Sequence, residues 1–375
     1  MRKLQMVDLK TQYDHIKADV DAAIQQVLDT TTYINGPLVQ EFQKNLEHYL
    51  GVKHVIPCAN GTDALQIAMM GLGLQPGDEV ITADFTFAAT VEVIALLQLT
   101  PVLVDVEEDS MNISIDAIRK AITPKTKAIV PVHLFGRAAN IEAIMDLAAE
   151  HNLFVIEDNA QAIGAMCTYK GQKFRAGAIG HVAATSFFPS KNLGCYGDGG
   201  AIFTNDDALA HAIRGIANHG MYVRYHHDVV GVNSRLDTIQ AGVLNVKLPK
   251  LDAYNAARRK AAAAYNKAFA GHPKIVTPAF DENGDDHVFH QYTLRIIDAD
   301  RDALMQHLVE KGIPCAIYYP IPLHSQKAYA DARYKEEDFP VTNRLVKEVI
   351  SLPMHTEIDD EQMAYITSTV IAFLG

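Results

Sequence analysis

Three short stretches of this chain carry residue types whose combination can do chemistry. Lys191 lies in Ser186-Phe187-Phe188-Pro189-Ser190-Lys191-Asn192-Leu193-Gly194, just before the glycine-rich run Gly194-Cys195-Tyr196-Gly197-Asp198-Gly199-Gly200. A loop lysine is ordinarily solvated. Here aromatic neighbours can desolvate the amine and lower its pKa, as Schiff-base chemistry requires, and glycine backbone lets a ligand approach closely. Asp158, in Glu157-Asp158-Asn159-Ala160-Gln161, ends an apolar run. At the carboxyl end of a parallel strand such a carboxylate can keep the ring nitrogen of a bound heteroaromatic group protonated. Taken alone, it reads equally well as a surface carboxylate capping the strand end. Asn60-Gly61-Thr62 follows one strand-like run and opens a helical one, so free N–H groups and the Thr62 hydroxyl suit a phosphate. The same residues also make an ordinary helix cap. Ser186, five residues before Lys191, offers a second hydroxyl.

Positioning these groups requires a particular set of elements. Strand patterns fall at 53–57, 79–82, 101–106, 127–132, 153–157, 182–187 and 200–204, and helical patterns at 63–70, 88–97, 115–121 and 141–151. The strands read as continuous apolar runs, which predicts burial on both faces. The expectation is an α/β fold: a mostly parallel seven-stranded sheet with helices on both faces. After about residue 245 the pattern changes. A long Ala- and Lys/Arg-rich helix at 251–269 precedes a strand at 291–297, a helix at 302–311, a Tyr/Pro-rich stretch at 317–324 and a final helix at 360–373. This predicts a large domain over 1–250, with an N-terminal helix, and a smaller α/β domain over 251–375.

Composition removes several classes of function. With 375 residues, 33 Lys+Arg and 45 Asp+Glu, the chain carries a formal net charge of −12. That balance argues against a nucleic-acid or membrane-surface binder, because both partners are polyanionic. Cys58, Cys167, Cys195 and Cys315 are scattered without a CxxC pair, so neither a disulfide framework nor a metal site is expected. The first ten residues lack the apolar core of a signal peptide and no run is long enough to cross a bilayer, so a cytoplasmic protein is expected. No GxGxxG turn follows the first strand, which disfavours a dehydrogenase.

The order of the pieces is more informative than any one of them: phosphate cap, aromatic segment Phe85-Thr86-Phe87, strand-end Asp158, then Ser186 and Lys191. In this order, and in Ala59-Asn60-Gly61-Thr62-Asp63-Ala64-Leu65, Pro76-Gly77-Asp78-Glu79-Val80-Ile81 and Gly231-Val232-Asn233-Ser234-Arg235-Leu236-Asp237, the chain resembles the DegT/DnrJ/EryC1/StrS sugar aminotransferases along essentially its whole length. The resemblance implies the fold type I architecture of pyridoxal 5′-phosphate (PLP) transferases. It implies Lys191 as Schiff-base lysine and proton shuttle, Asp158 on the pyridine nitrogen, and Gln161 beside the ring. Gly61, Thr62 and Ser186 would hold the phosphate, and Phe87 would stack on the ring. Asn233 would reach the phosphate of a neighbouring subunit, which implies an obligate homodimer with shared sites. Some members are dehydratases with histidine in place of this lysine, so Lys191 favours transamination.

Within the family, the Lys191 loop, Arg224-Tyr225-His226-His227 and the segment 231–238 look most similar to enzymes that aminate position 3 of UDP-2-acetamido-2-deoxy-3-oxo-glucuronic acid. Those enzymes use L-glutamate as donor, and their product enters bacterial surface polysaccharide such as O-antigen. The sugar carboxylate and the diphosphate both want cationic partners, and Arg224, His226, His227 and Arg235 form a local basic cluster. Structural pairs at a subunit interface would account for the same cluster. Tyr318 and His324, within the stretch 318–324, either line the sugar pocket or pack the small domain. The rival readings are a 4-aminotransferase of a UDP- or dTDP-linked 4-keto-6-deoxy sugar, a cofactor-independent lyase, and a non-catalytic PLP-binding regulator.

Overall fold

A computed structural model describes residues 2–281 and 284–375; Met1, the first of the ten residues read as lacking a leader, lies outside them. The chain runs through α1 (Leu9–Thr30), α2 (Pro37–Leu50), β1 (His54–Cys58), α3 (Gly61–Gly71), β2 (Glu79–Ala83), α4 (Ala89–Leu96), β3 (Thr100–Val104), α5 (Ile115–Ala121), β4 (Thr126–Val130), α6 (Ile141–His151) and β5 (Phe154–Asp158). A hairpin of β6 (Met166–Tyr169) and β7 (Gln172–Arg175) leads to β8 (Val182–Ser186), β9 (Gly200–Thr204) and α7 (Asp207–Ala217). A second hairpin, β10 (Met221–Val223) with β11 (His226–His227), precedes α8 (Thr238–Lys247) and α9 (Leu251–Phe269). The remainder comprises β12 (Ile275–Val276), β13 (Tyr292–Ile296), α10 (Arg301–Glu310), α11 (Pro340–Glu348), β14 (Val349–Leu352) and α12 (Asp360–Leu374).

Seven strands form one sheet in the order β1-β9-β8-β5-β4-β2-β3. Only β9 opposes its neighbours, β1 and β8; β8, β5, β4, β2 and β3 pair in parallel. These are the seven expected strands, with ends displaced by up to two residues. The fourth stops at Val130 because Pro131 has no N–H to give the ladder. Burial on both faces explains the unbroken apolar runs. Ile81, Ile129 and Val155 pack with Ile118 and Ile144 of α5 and α6 on one side. Val80, Val130, Ile156 and Ile202 pack with Leu65, Ile94 and Ile213 of α3, α4 and α7 on the other.

A smaller antiparallel sheet, β12-β13-β14, packs against α9, α10 and α12 through Tyr265, Tyr292, Leu294, Leu304, Ile350 and Ile366. Leu4 from the start of the chain joins this core. No helix among the described residues is long and apolar enough to cross a membrane.

Candidate active site

The carboxyl ends of β5 and β8, the loop after β2 and the N-terminus of α3 open onto one cavity of about 650 Å³. This is the edge where open α/β sheets place ligands. Eight of the expected residues line it: Gly61, Thr62, Phe87, Asp158, Gln161, Ser186, Lys191 and Tyr318.

Asp158, the last residue of β5, is only 5 % exposed. Its carboxylate accepts from the Thr90 hydroxyl at 2.8 Å and from the Ala160 N–H at 3.1 Å. No cation lies within ion-pair distance of it among the described residues. Burial therefore raises its pKa, and the two hydrogen bonds and the Lys191 charge offset this only in part. A buried carboxylate facing a cavity with no cation against it is the complement of a protonated pyridine ring.

Lys191 follows a tight turn closed by its N–H on the Phe188 carbonyl at 2.8 Å. Desolvation lowers its amine to about 8, with Asp158 opposing. At neutral pH a useful fraction is therefore unprotonated, as a nucleophile and proton acceptor must be.

The phosphate end is built as tightly. The Asn60 side chain caps α3 by accepting from the Asp63 N–H at 2.8 Å. A Cβ on Gly61 would lie 2.7 Å from the Ser186 Cβ, so only glycine lets the helix N-terminus and Ser186 share one anion position. The Ser234 hydroxyl ties this turn down, donating to Asp63 at 2.6 Å and accepting from the Ala59 N–H at 3.0 Å. Gln161 is held by the Phe135 N–H at 2.6 Å and donates to the Tyr319 hydroxyl at 3.2 Å. Phe87 is 57 % exposed, an uncovered aromatic face whose ring centroid is 6.1 Å from that of Tyr319. An acid without a cation, a glycine-lined anion cradle, a low-pKa lysine and a bare aromatic face fit PLP. Bound there, it supplies an electron sink for charge at the substrate carbon.

The remaining expected residues are not brought to the cavity within one chain. Arg224 and His226 are exposed on the β10–β11 hairpin, where Arg224 lies over the Tyr225 ring. Asn233 is exposed and bridges Asn218, while Arg235 is half-buried. His324 is not among the residues lining the cavity: it is 8 % exposed, and its ring bonds Asp84 and stacks on Phe339.

Sequence reasoning missed Thr90 and His290, and placed Tyr319 only within the candidate stretch 318–324. His290 lines the cavity at 5 % exposure, and its Nδ1 has no hydrogen-bond partner among the described residues. Burial first, then the Lys191 and Arg258 charges, hold it well below the ordinary histidine value, so the ring is neutral. The available signal was His287-Val288-Phe289-His290-Gln291, two histidines flanking an apolar pair just before β13.

Similar proteins agree with this geometry. The DegT/DnrJ/EryC1/StrS aminotransferase family profile matches residues 14–371. UDP-2-acetamido-2-deoxy-3-oxo-D-glucuronate aminotransferase of Pseudomonas aeruginosa is 48% identical over 370 residues, spanning 98% of this chain and 99% of the relative. A pleiotropic regulatory protein of Geobacillus stearothermophilus is 45% identical, spanning 98% of each chain. UDP-N-acetyl-3-dehydro-alpha-D-glucosamine 3-aminotransferase of Acidithiobacillus ferrooxidans is 43% identical, spanning 97% of this chain and 96% of the relative. The crystal structure of ntda from Bacillus subtilis with bound cofactor PMP superposes with a TM-score of 0.90 at 30% identity, covering 100% of this chain and 86% of that one. With a match over nearly the whole chain and a cavity shaped for the cofactor, the chain is a PLP-dependent enzyme and belongs to the DegT/DnrJ/EryC1/StrS aminotransferase family.

Proposed function

We propose that this enzyme moves the amino group of L-glutamate onto position 3 of UDP-2-acetamido-2-deoxy-3-oxo-glucuronate, in the cytoplasm, to supply a 3-amino sugar for bacterial surface polysaccharide. The observation that carries this reading is the convergence of Lys191 and Asp158 in one cavity, in a chain 48% identical to an enzyme named for that substrate. Asp158, Gln161, Gly61, Thr62 and Ser186 hold the cofactor, with Phe87 against its ring. Lys191 takes a proton from the amino-acid α-carbon and returns one to the sugar carbon. Tyr318 borders the sugar, and the exposed Arg224, His226, Asn233 and Arg235 are contributed across a twofold axis to the partner's site. The division at about residue 250 into a cofactor domain and a smaller one is supported by the separate core under β12-β13-β14.

One relative is named as a regulator, and that name is the whole basis of a second, non-catalytic reading. The complete Lys191–Asp158 arrangement speaks for catalysis instead. Glutamate should bleach the visible absorption of the PLP-loaded enzyme, and the 3-keto-glucuronate nucleotide should restore it, while 4-keto-6-deoxy sugar nucleotides should not. Restoration by a 4-keto sugar alone would move the assignment to the 4-aminotransferases. Failure of glutamate to bleach the band would favour the regulator.

A further inference from the structure

Two segments that wall the cavity come from distant parts of the chain. One is the loop after β2, carrying Thr86 and Phe87; the other is the strap carrying Tyr318 and Tyr319. They meet through the Phe85–Tyr319 and Phe87–Tyr319 ring contacts, and they are hydrogen-bonded to each other at Asp84. The Asp84 carboxylate accepts from the His324 Nδ1–H at 2.7 Å and from the His324 backbone N–H at 2.7 Å. The Asp84 carbonyl accepts from the Leu323 N–H at 3.3 Å, and the Asp84 N–H donates to the Val104 carbonyl at 2.9 Å. Asp84 is fully buried, and the His324 ring stacks on Phe339 with centroids 4.4 Å apart at 7°. Leu323, Phe339, Val91 and Leu103 close an apolar cluster around the junction.

We propose that Asp84 and His324 form a positioning clamp that sets the height of the Tyr318–Tyr319 strap over the cavity and so determines acceptance of the sugar substrate. The clamp is two residues from Thr86 on one side and five from Tyr319 on the other, so its geometry reaches the wall through short, packed backbone. Neither Asp84 nor His324 bonds Asp158 or Lys191: Asp158 is held by Thr90 and Ala160, and Lys191 by its own turn. The strap meets the cofactor end where the Tyr319 hydroxyl accepts from Gln161 and its ring lies by Phe87. The wall that moves when the clamp loosens is the one a bulky sugar nucleotide must pass, and glutamate, being small, is less affected. In this respect the inference rests on the sugar-nucleotide reading above.

The test compares two half-reactions of the PLP-loaded enzyme, each read as the same loss of visible absorption. One uses L-glutamate; the other runs the sugar step in reverse, with UDP-2-acetamido-3-amino-2,3-dideoxyglucuronate. His324→Leu should lower kcat/KM for the amino sugar about 10- to 100-fold, as expected for a displaced binding wall, with KM carrying most of the change and the glutamate rate preserved. His324→Asn should recover most of the loss, because its side-chain N–H can replace Nδ1, and it gives up only the 3.6 Å approach of Nε2 to the exposed Glu336 carboxylate. Deuterium uptake by 316–325 in the PLP-loaded protein should rise in His324→Leu, and uptake by the peptide containing Lys191 should not. If His324→Leu does not fold, Asp84→Asn carries the same comparisons, since it keeps one acceptor oxygen for the backbone N–H. Equal losses in both half-reactions, or unchanged amino-sugar kinetics and uptake, would overturn the clamp. If the unmodified enzyme answers to glutamate but not to this amino sugar, the substrate reading fails, and deuterium uptake alone decides for or against the clamp.

Discussion

The His133 imidazole meets the Glu157 carboxylate at 2.9 Å, both side chains fully buried, one residue before the cavity's Asp158. The Ala139 N–H occupies the His133 Nδ1, so the proton sits on Nε2 and points at Glu157. Glu157 also accepts from the N–H groups of Gly177, Ile179 and Gly180 at 2.8, 2.9 and 2.5 Å. This carboxylate fastens the loop before β8 to the end of β5, and therefore sets Asp158 relative to Ser186.

Burial works to raise the Glu157 pKa, but His133 and the N–H groups of Gly180 and Gly177 outweigh it and leave it lowered. A carboxyl whose folded pKa is depressed adds stability above its unfolded pKa of about 4.3, and that stability is lost as pH falls through the folded value. Glu157→Ala should cost about 3–5 kcal/mol, because it strands a set of buried donors. Thermal unfolding followed from pH 7 downward should show the wild type losing part of its advantage over this variant below about pH 4.

The Lys191 amine, lowered to about 8, makes cofactor loading pH-dependent. The neutral amine is the nucleophile, so covalent uptake of PLP by the apoprotein should speed up as pH rises through about 8 and level off above it. Stopped-flow absorbance from about pH 6.5 to about pH 11 brackets both this midpoint and that of an ordinary lysine. A midpoint near the ordinary lysine value of about 10.4 would mean that the amine is solvated.

Asp158→Asn removes the charge opposite the ring nitrogen while keeping the shape. The glutamate half-reaction should slow by about 10²–10³-fold, the scale of a lost, preorganised electrostatic contact. Circular dichroism should be unchanged, since the Thr90 hydroxyl can still donate to the amide oxygen.

Gly61→Ala probes the anion cradle. Its Cβ would sit 2.7 Å from that of Ser186, forcing the α3 N-terminus and β8 apart. The Kd for PLP should rise about tenfold, equivalent to about 1.4 kcal/mol, as measured by equilibrium titration of the apoprotein.

Much of this architecture is legible locally. The helices at 115–121, 141–151 and 251–269 and the strand at 200–204 have the expected bounds, because apolar periodicity and caps such as Asn140 and Asn152 mark them. The β6–β7 hairpin is missed because exposed residues such as Gln172 and Lys173 give it no apolar run. The cofactor end is legible because strand ends and a helix start place Asp158, Ser186 and Gly61 by topology alone. The sugar side is not. His324 finds Asp84 across 240 positions, and His290 feels the Lys191 charge from a segment far along the chain. Neither pairing leaves a trace in local periodicity, so a residue expected at the pocket lies outside its lining, and a missed one lines it.

The central claim is that Lys191 carries the cofactor. Borohydride reduction of the PLP-loaded enzyme, followed by digestion and mass spectrometry, should place the pyridoxyl group on Lys191. Lys247 is the informative control: burial also lowers it to about 8, but it is committed to the Gly194 carbonyl at 2.7 Å. A pyridoxyl group on Lys247, or on no lysine at all, would contradict the account.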